Sequence, residues 1–203
     1  MRSTWERWES LWVGGVRRGA VFRGFDGELL ITRVAFDDGG GSAFASETLL
    51  RLESSGATWA GFRYRMEPGA LSAGVWRESA GLGVDTLPAT GEHLLLERLS
   101  RSERRRASFS RVDEAQPDAP PAPAEIRRAG LESVEAPDGR SVRAERYDVV
   151  AGGVRAGIHW VRDGVTVRSA WGGVLTFACE HPRALAGLGS QLTDFLIGGF
   201  GPE

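Results

Sequence analysis

"SVRAERYDVVAGGVRAGIHWVRDGVTVRSAWGGVLTFAC", residues 141–179, decides the fold. Its β-branched and aromatic runs are cut by Gly152-Gly153, Asp163-Gly164 and Gly172-Gly173. Two-residue loops of this kind supply the positive φ angles of tight hairpin turns. Turn signals every 8–12 residues read as a consecutive antiparallel meander. Upstream, "LESVEA" (131–136) enters the same series through Pro137-Asp138-Gly139.

The first half repeats the style. "GAVFRGF" (19–25) passes through Asp26-Gly27 into "ELLITRVAF" (28–36), and "DDGGG" (37–41) turns the chain into "SAFASETLLRLE" (42–53). Ser54-Ser55-Gly56 leads to "ATWAGFRYRME" (57–67), closed by Pro68-Gly69. Alternation there puts Ala60, Phe62, Tyr64 and Met66 on one face and Trp59, Gly61, Arg63 and Arg65 on the other. Between the halves, "AQPDAPPAPAE" (115–125) holds four of the nine prolines and is expected as an extended internal loop. The whole chain, 1–203, reads as a single β-rich domain.

Helical periodicity is confined to the two ends. Over 182–197, Ala184, Leu185, Leu188, Leu192, Phe195 and Leu196 share an arc about 120° wide, predicting a C-terminal helix packed on the sheet. Pro182 suits its first turn and Gly198-Gly199 its end. At the N-terminus, Ser3 and Glu6 have capping-box spacing, and Trp5, Trp8, Leu11 and Trp12 fill a similar arc. A helix of about ten residues is too short to stand alone. Its three tryptophans carry roughly 450–750 Å² of surface that something must cover. The expected architecture is therefore mainly β (α+β): a long antiparallel meander forming a curved sheet or half-barrel, with a short N-terminal and a C-terminal helix packed on it.

Composition narrows the chemistry. The formal net charge is −2, so no overall field favours nucleic acid or anionic membrane, and all 25 positive side chains are arginine. Cys179 is the only cysteine, which rules out an internal disulfide. Charged residues interrupt the N-terminus where a signal peptide needs an apolar run, and no stretch approaches a spanning helix. The chain is expected to be cytoplasmic as written, or extracytoplasmic if a leader has been removed.

His93, His159 and His181 lack metal-ligand spacing, "DDGGGS" lacks the alternating ligands of a calcium loop, and no phosphate-binding or serine-elbow motif occurs. Cys179 and His181 in "CEHP" read as a strand end and a helix entry rather than a nucleophile and its base. No cofactor, metal or catalytic residue is expected. "ERLSRSERRRASFSR" (97–111) reads as a hairpin with its turn at Ser102–Arg105, decorated by Arg101, Arg104, Arg105 and Arg106. These read first as a solvated face and second as a candidate surface for an acidic protein or a lipid headgroup. Phe109 alone could stack a base, so nucleic acid is not expected.

In the second meander, Tyr147, Trp160, the Asp163-Gly164 turn, Val167 and Arg168 form a pattern that resembles the later strands of the LolA/LolB-like lipoprotein-carrier half-barrels. The resemblance covers about a sixth of the chain. It implies a curved sheet whose concave face, partly covered by helices, accepts acyl chains. The expected function is a non-enzymatic binding protein holding a hydrophobic or lipid-like ligand between sheet and helices, with Trp5, Trp8, Trp12, Trp59, Tyr64 and Trp160 as candidate contacts. The alternative is a protein-interaction subunit, adaptor or chaperone-like module. It would use the Trp helix, the Pro-rich loop and the Arg-rich hairpin.

Overall fold

The computed structural model describes residues 4–54 and 58–201. Among these the chain builds a thirteen-stranded sheet. The first meander is β1 (Trp5–Val13), β2 (Val16–Phe25), β3 (Leu29–Asp37), β4 (Ala43–Leu52), β5 (Trp59–Glu67) and β6 (Leu71–Trp76). A connection then leads to β7 (Thr86–Pro88), a 3-10 turn (Ala89–Gly91), helix α1 (Glu92–Ser100) and β8 (Arg106–Val112). The second meander continues with β9 (Ala122–Glu135), β10 (Ser141–Ala151), β11 (Val154–Arg162), β12 (Val165–Trp171) and β13 (Val174–Cys179). Helices α2 (His181–Leu185) and α3 (Ser190–Gly198) end the chain.

Strand order is β6-β5-β4-β3-β2-β1-β13-β12-β11-β10-β9-β8-β7, so the first and last strands meet in the middle. All pairings are antiparallel except β7 with β8. The sheet is curved and does not close into a barrel. Its two edges are nevertheless tied together: the buried Trp59 indole N–H on β5 donates to Thr86 O on β7 at 2.8 Å. Arg77, between the edge strands, donates through Nε to Trp59 O at 2.9 Å.

On the inner face, one apolar cluster draws on both meanders and on α1: Leu30, Leu50, Trp59, Phe62, Leu96, Leu99, Phe109, Ile126, Tyr147 and Val149 are all buried in it. Helix α1 fills the inside of the curve. It is held at its start by Glu92 to Arg111 at 2.6 Å and by Thr90, whose backbone N–H and hydroxyl both donate to Glu114 at 2.7 Å. At its end Arg128 donates to Leu99 O and Ser102 O. On the outer face, α2 and α3 cover β1–β3 through Ala20, Phe22, Ala35, Ala184, Leu192 and Leu196.

Four expectations change. The N-terminal segment is a strand, not a helix, because β1 pairs on both sides, with β2 and with β13. Both of its faces are covered, so apolar side chains fall at spacings that also fit a helical arc. Ser3 of the proposed capping box, and Ser55-Gly56 in the turn before β5, lie outside the described residues. The C-terminal helix is two short helices, because Gly187 takes φ +76°, which a right-handed helix cannot include. Its predicted apolar arc still packs as a unit on the outer face. The arginine-rich segment is not a two-strand hairpin: α1 runs to Ser100 and only its second arm, β8, is a strand. In the Pro-rich stretch, Ala122 to Glu125 already belong to β9.

Replacing Trp59 by Phe keeps most of the ring volume but leaves buried Thr86 O without its donor. This is expected to cost about 1–3 kcal/mol of unfolding free energy in urea titrations. A change below about 0.5 kcal/mol would mean that the tie between the sheet edges contributes little.

Candidate functional site

The six aromatic candidates do not form one site: Trp5, Trp59 and Tyr64 join the inner cluster, while Trp8, Trp12 and Trp160 lie on the outer face. Trp5 faces inward, 5.9 Å from Phe25, with the Arg7 guanidinium 4.0 Å from its ring centre. Trp59 lies in the core, turned inward by a register shift at the Arg51/Leu52 end of the β4–β5 ladder, which leaves Ala60 extra and breaks the alternation read from the sequence. Tyr64 is half-buried beside the same cluster, and burial with the nearby Glu114 and Asp113 charges pushes its phenol pKa up. Trp160 faces outward, donating to Glu132 Oε2 at 2.8 Å beneath the Arg168 guanidinium. Trp8 also faces outward, against Phe22 and His181 at 4.8 and 4.5 Å. Arg101 pairs with Glu97 at 2.7 Å, while Arg104, Arg105 and Arg106 are exposed at the approach to β8.

Three of the candidates line clefts: Trp5 one of about 310 Å³, Trp8 one of about 390 Å³ and Trp12 a groove of about 560 Å³. The Trp12 groove lies on the outer face where β1 meets β13, beneath the tip of the β9–β10 hairpin. A ligand cleft is commonly about 300–1,000 Å³. Its floor is Trp12 and Phe177, whose rings meet edge-on at 6.3 Å. The Trp12 indole N–H is already used by Ser10 Oγ at 3.0 Å, so the ring itself is what the groove presents. Pro137 and Ala136 come from the hairpin tip.

The rim is basic. Asp138 at the tip receives Arg140 at 2.7 Å and Arg183 of α2 at 3.1 Å, and these donors hold its carboxyl well below the usual carboxylate range. Among the described residues no carboxylate pairs with Arg17: its Nη2 donates to Arg183 O and Ala184 O at 2.6 and 2.7 Å, and its buried Nε meets no acceptor there. The sequence hid this residue. The β1–β2 ladder shifts register between Leu11 and Trp12, leaving Arg18 extra, so Arg17 comes directly opposite Trp12 on the outer face. Strict alternation from inward-facing Val21 would have sent Arg17 inside.

Cys179 also lines the groove, but burial pushes its thiol pKa up, and His181 stacks on Trp8. A thiol held protonated is a poor nucleophile. The Trp8 cleft, opening near the end of β13, has an acidic mouth at Glu6 and Glu180.

The inner face carries the other polar assembly. Buried Glu9 pairs with Arg23 and accepts the Thr176 hydroxyl. Beside them His93 of α1 and His159 of β11 meet edge-on at 5.0 Å, and His159 Nδ1 lies 2.9 Å from Ser169 Oγ. Burial, reinforced by the Arg23 charge, pushes the His159 pKa down to about 3 and that of His93 well below the usual value. Both rings are neutral at pH 7, which suits internal hydrogen bonding better than proton transfer. Burial raises Glu92 to about 7 against the pull of Arg111, with Glu114 pushing the same way as burial. Among the described residues no group of three His, Cys, Asp or Glu side chains is placed to hold a metal ion, and no helix is long and apolar enough to cross a membrane.

No family model matches the chain, and no curated protein matches it. Among solved structures it is similar to a beta-barrel-like protein of the domain of unknown function DUF1849 from Brucella abortus, at 10% identity over 85% of this chain and 93% of that one, with a TM-score of 0.48. It is also similar to a DUF1329 family protein from Desulfovibrio piger, at 11% identity over 94% of this chain and 87% of that one, with a TM-score of 0.18.

The titrating groups predict a two-sided pH response. A histidine depressed from 6.5 to about 3 contributes stability that is present above pH 6.5 and lost as pH falls toward 3. A carboxyl raised from 4.5 to about 7 contributes stability that is present below pH 4.5 and lost as pH rises through 7. Melting temperatures between pH 4 and pH 8 should therefore respond on opposite sides: His159→Gln flattens the acid limb and Glu92→Gln the alkaline one. Variants whose curves run parallel to the parent would remove these groups from the pH response.

Proposed function

We propose that this chain is a non-catalytic binding protein that holds the apolar part of a lipid-like ligand in the outer groove over Trp12 and Phe177. The observation that carries this reading is the aromatic floor of a groove of about 560 Å³, roofed by the β9–β10 hairpin tip. The resemblance to lipoprotein-carrier half-barrels agrees with a lipid-like ligand, but the place differs from the one it implied. Between sheet and helix α1 the interior is occupied by Leu96, Leu99, Trp59 and their neighbours. The interaction-module reading relied partly on a tryptophan helix, and that segment is an inner strand of the sheet.

The test is a titration with N-phenyl-1-naphthylamine, a neutral apolar probe whose fluorescence rises on burial. Saturable one-to-one binding is expected. Trp12→Ala should weaken it roughly tenfold, the equivalent of about 1.4 kcal/mol of lost contact. Trp76→Ala, at a 62% exposed position outside the groove, should leave it unchanged. Failure to saturate, or equal binding by the Trp12 variant, would remove the groove as the site.

A further inference from the structure

Two arginines on the outer face perform the same structural task, and only one is fully answered. Arg33 donates through Nη1 to Leu196 O and Ile197 O at the end of α3, and its Nε donates to Glu47 Oε2 at 2.7 Å. Arg17 donates through Nη2 to Arg183 O and Ala184 O at the end of α2, yet among the described residues its buried Nε has no acceptor. Glu47 therefore has no counterpart at Arg17. A buried donor without a partner is unfavourable, and guanidinium edges match carboxylate and phosphate oxygens.

The surroundings favour an anion from the ligand. Arg17 sits directly opposite Trp12 across the β1–β2 ladder, so charge and aromatic floor share one wall of the groove. The remaining charges on the rim are Arg140 and Arg183 with Asp138, and Glu180. Asp138 is committed to both of its arginines. Three guanidiniums against two carboxylates leave one positive charge unmatched. The carbonyls at the end of α2 fix Arg17 in place, which limits the ordering a ligand must impose.

We infer that the groove takes a single-chain amphiphile with an anionic oxygen head, a carboxylate or a phosphate, its chain over Trp12 and Phe177 and its head on Arg17. This rests on the groove being the apolar site proposed above.

The experiment displaces N-phenyl-1-naphthylamine from the full-length chain with molecules that share a chain and differ in the head. Dodecanoate and dodecyl phosphate should displace it at concentrations at least tenfold below dodecanol. Raising salt from about 0.05 to about 0.5 M should narrow that gap, since screening acts on the charged heads alone. Arg17→Met should bring dodecanoate to the dodecanol level. The salt arm uses the unmodified chain, so it reads out even where the variant loosens α2.

Equal displacement by dodecanol and dodecanoate overturns the inference while leaving the apolar site standing, and so does a gap that survives both salt and Arg17→Met. Inorganic phosphate or acetate competing as well as the amphiphiles overturns it in favour of a free-anion site. If neither dodecanol nor dodecanoate displaces a probe that does bind, the groove reading falls and this inference with it.

Discussion

The pairing of β1 with β13 is the interaction on which the rest of the structure depends. It brings Ser10 opposite Phe177 and Leu11 opposite Thr176, residues at opposite ends of the chain, and fuses two meanders into one sheet. Long-range pairing of this kind has to meet a large loop-closure cost before its own contacts contribute. What offsets that cost lies on both faces. Inside, Thr176 reaches Glu9, and Leu11 packs with Val21 and Val174. Outside, α2 and α3 bridge β1, β2 and β3 through Phe22 and the Ala20–Ala35 pair. The same pairing sets Trp12 beside Phe177, so the candidate groove is a direct product of the join.

Register shifts decide which side chains reach a site. The extra residue Arg18 in β2 turns Arg17 to the outer face, and the extra residue Ala60 in β5 turns Trp59 into the core. A one-residue slip sends a side chain to the opposite face of a sheet, so each shift reverses the assignment that alternation alone would give. Both shifts lie near the ends of their strands, where local bending costs less ladder than it would at mid-strand.

Much of the meander was legible because its turns carry their own chemistry. Gly14-Gly15, Gly152-Gly153 and Gly172-Gly173 adopt nearly the same pair of positive φ angles, close to 57° and 80° at the first. Two of these pairs were read as hairpin turns. The first was masked by the tryptophan spacing before it, although Val13-Gly14-Gly15-Val16 matches the later turns residue type for residue type at the glycines and the following valine. Helix α1 was missed for a different reason. Leu95, Leu96 and Leu99 are suitably spaced, but the arginines that follow fit a hairpin equally well, and the helix is held by partners distant in sequence, Arg7, Arg111 and Arg128, and by the inner cluster. Arg17 lay beyond reach because no sequence pattern announces a bulge between two arginines.

The polarity of the two faces also bears on where a ligand can go. The inner face has an apolar cluster, but across its middle run Arg7, Arg23, Thr32, Thr48 and Tyr64 in register, with Glu9, His93 and His159 packed nearby. An acyl chain entering there would have to displace α1, separate Arg7 from Glu97 and leave buried charges facing hydrocarbon. Separating this partly buried pair would add to the cost of displacing α1, and hydrocarbon against the buried Glu9–Arg23 pair would be costlier still. The outer groove makes no such demand. Its indole N–H and its acidic side chain at the hairpin tip already have partners, and a chain laid over Trp12 and Phe177 would cover apolar surface without uncovering charge. In this sheet the curved interior serves as the packed, hydrogen-bonded support, and the groove proposed to take a ligand lies at the join between the two meanders.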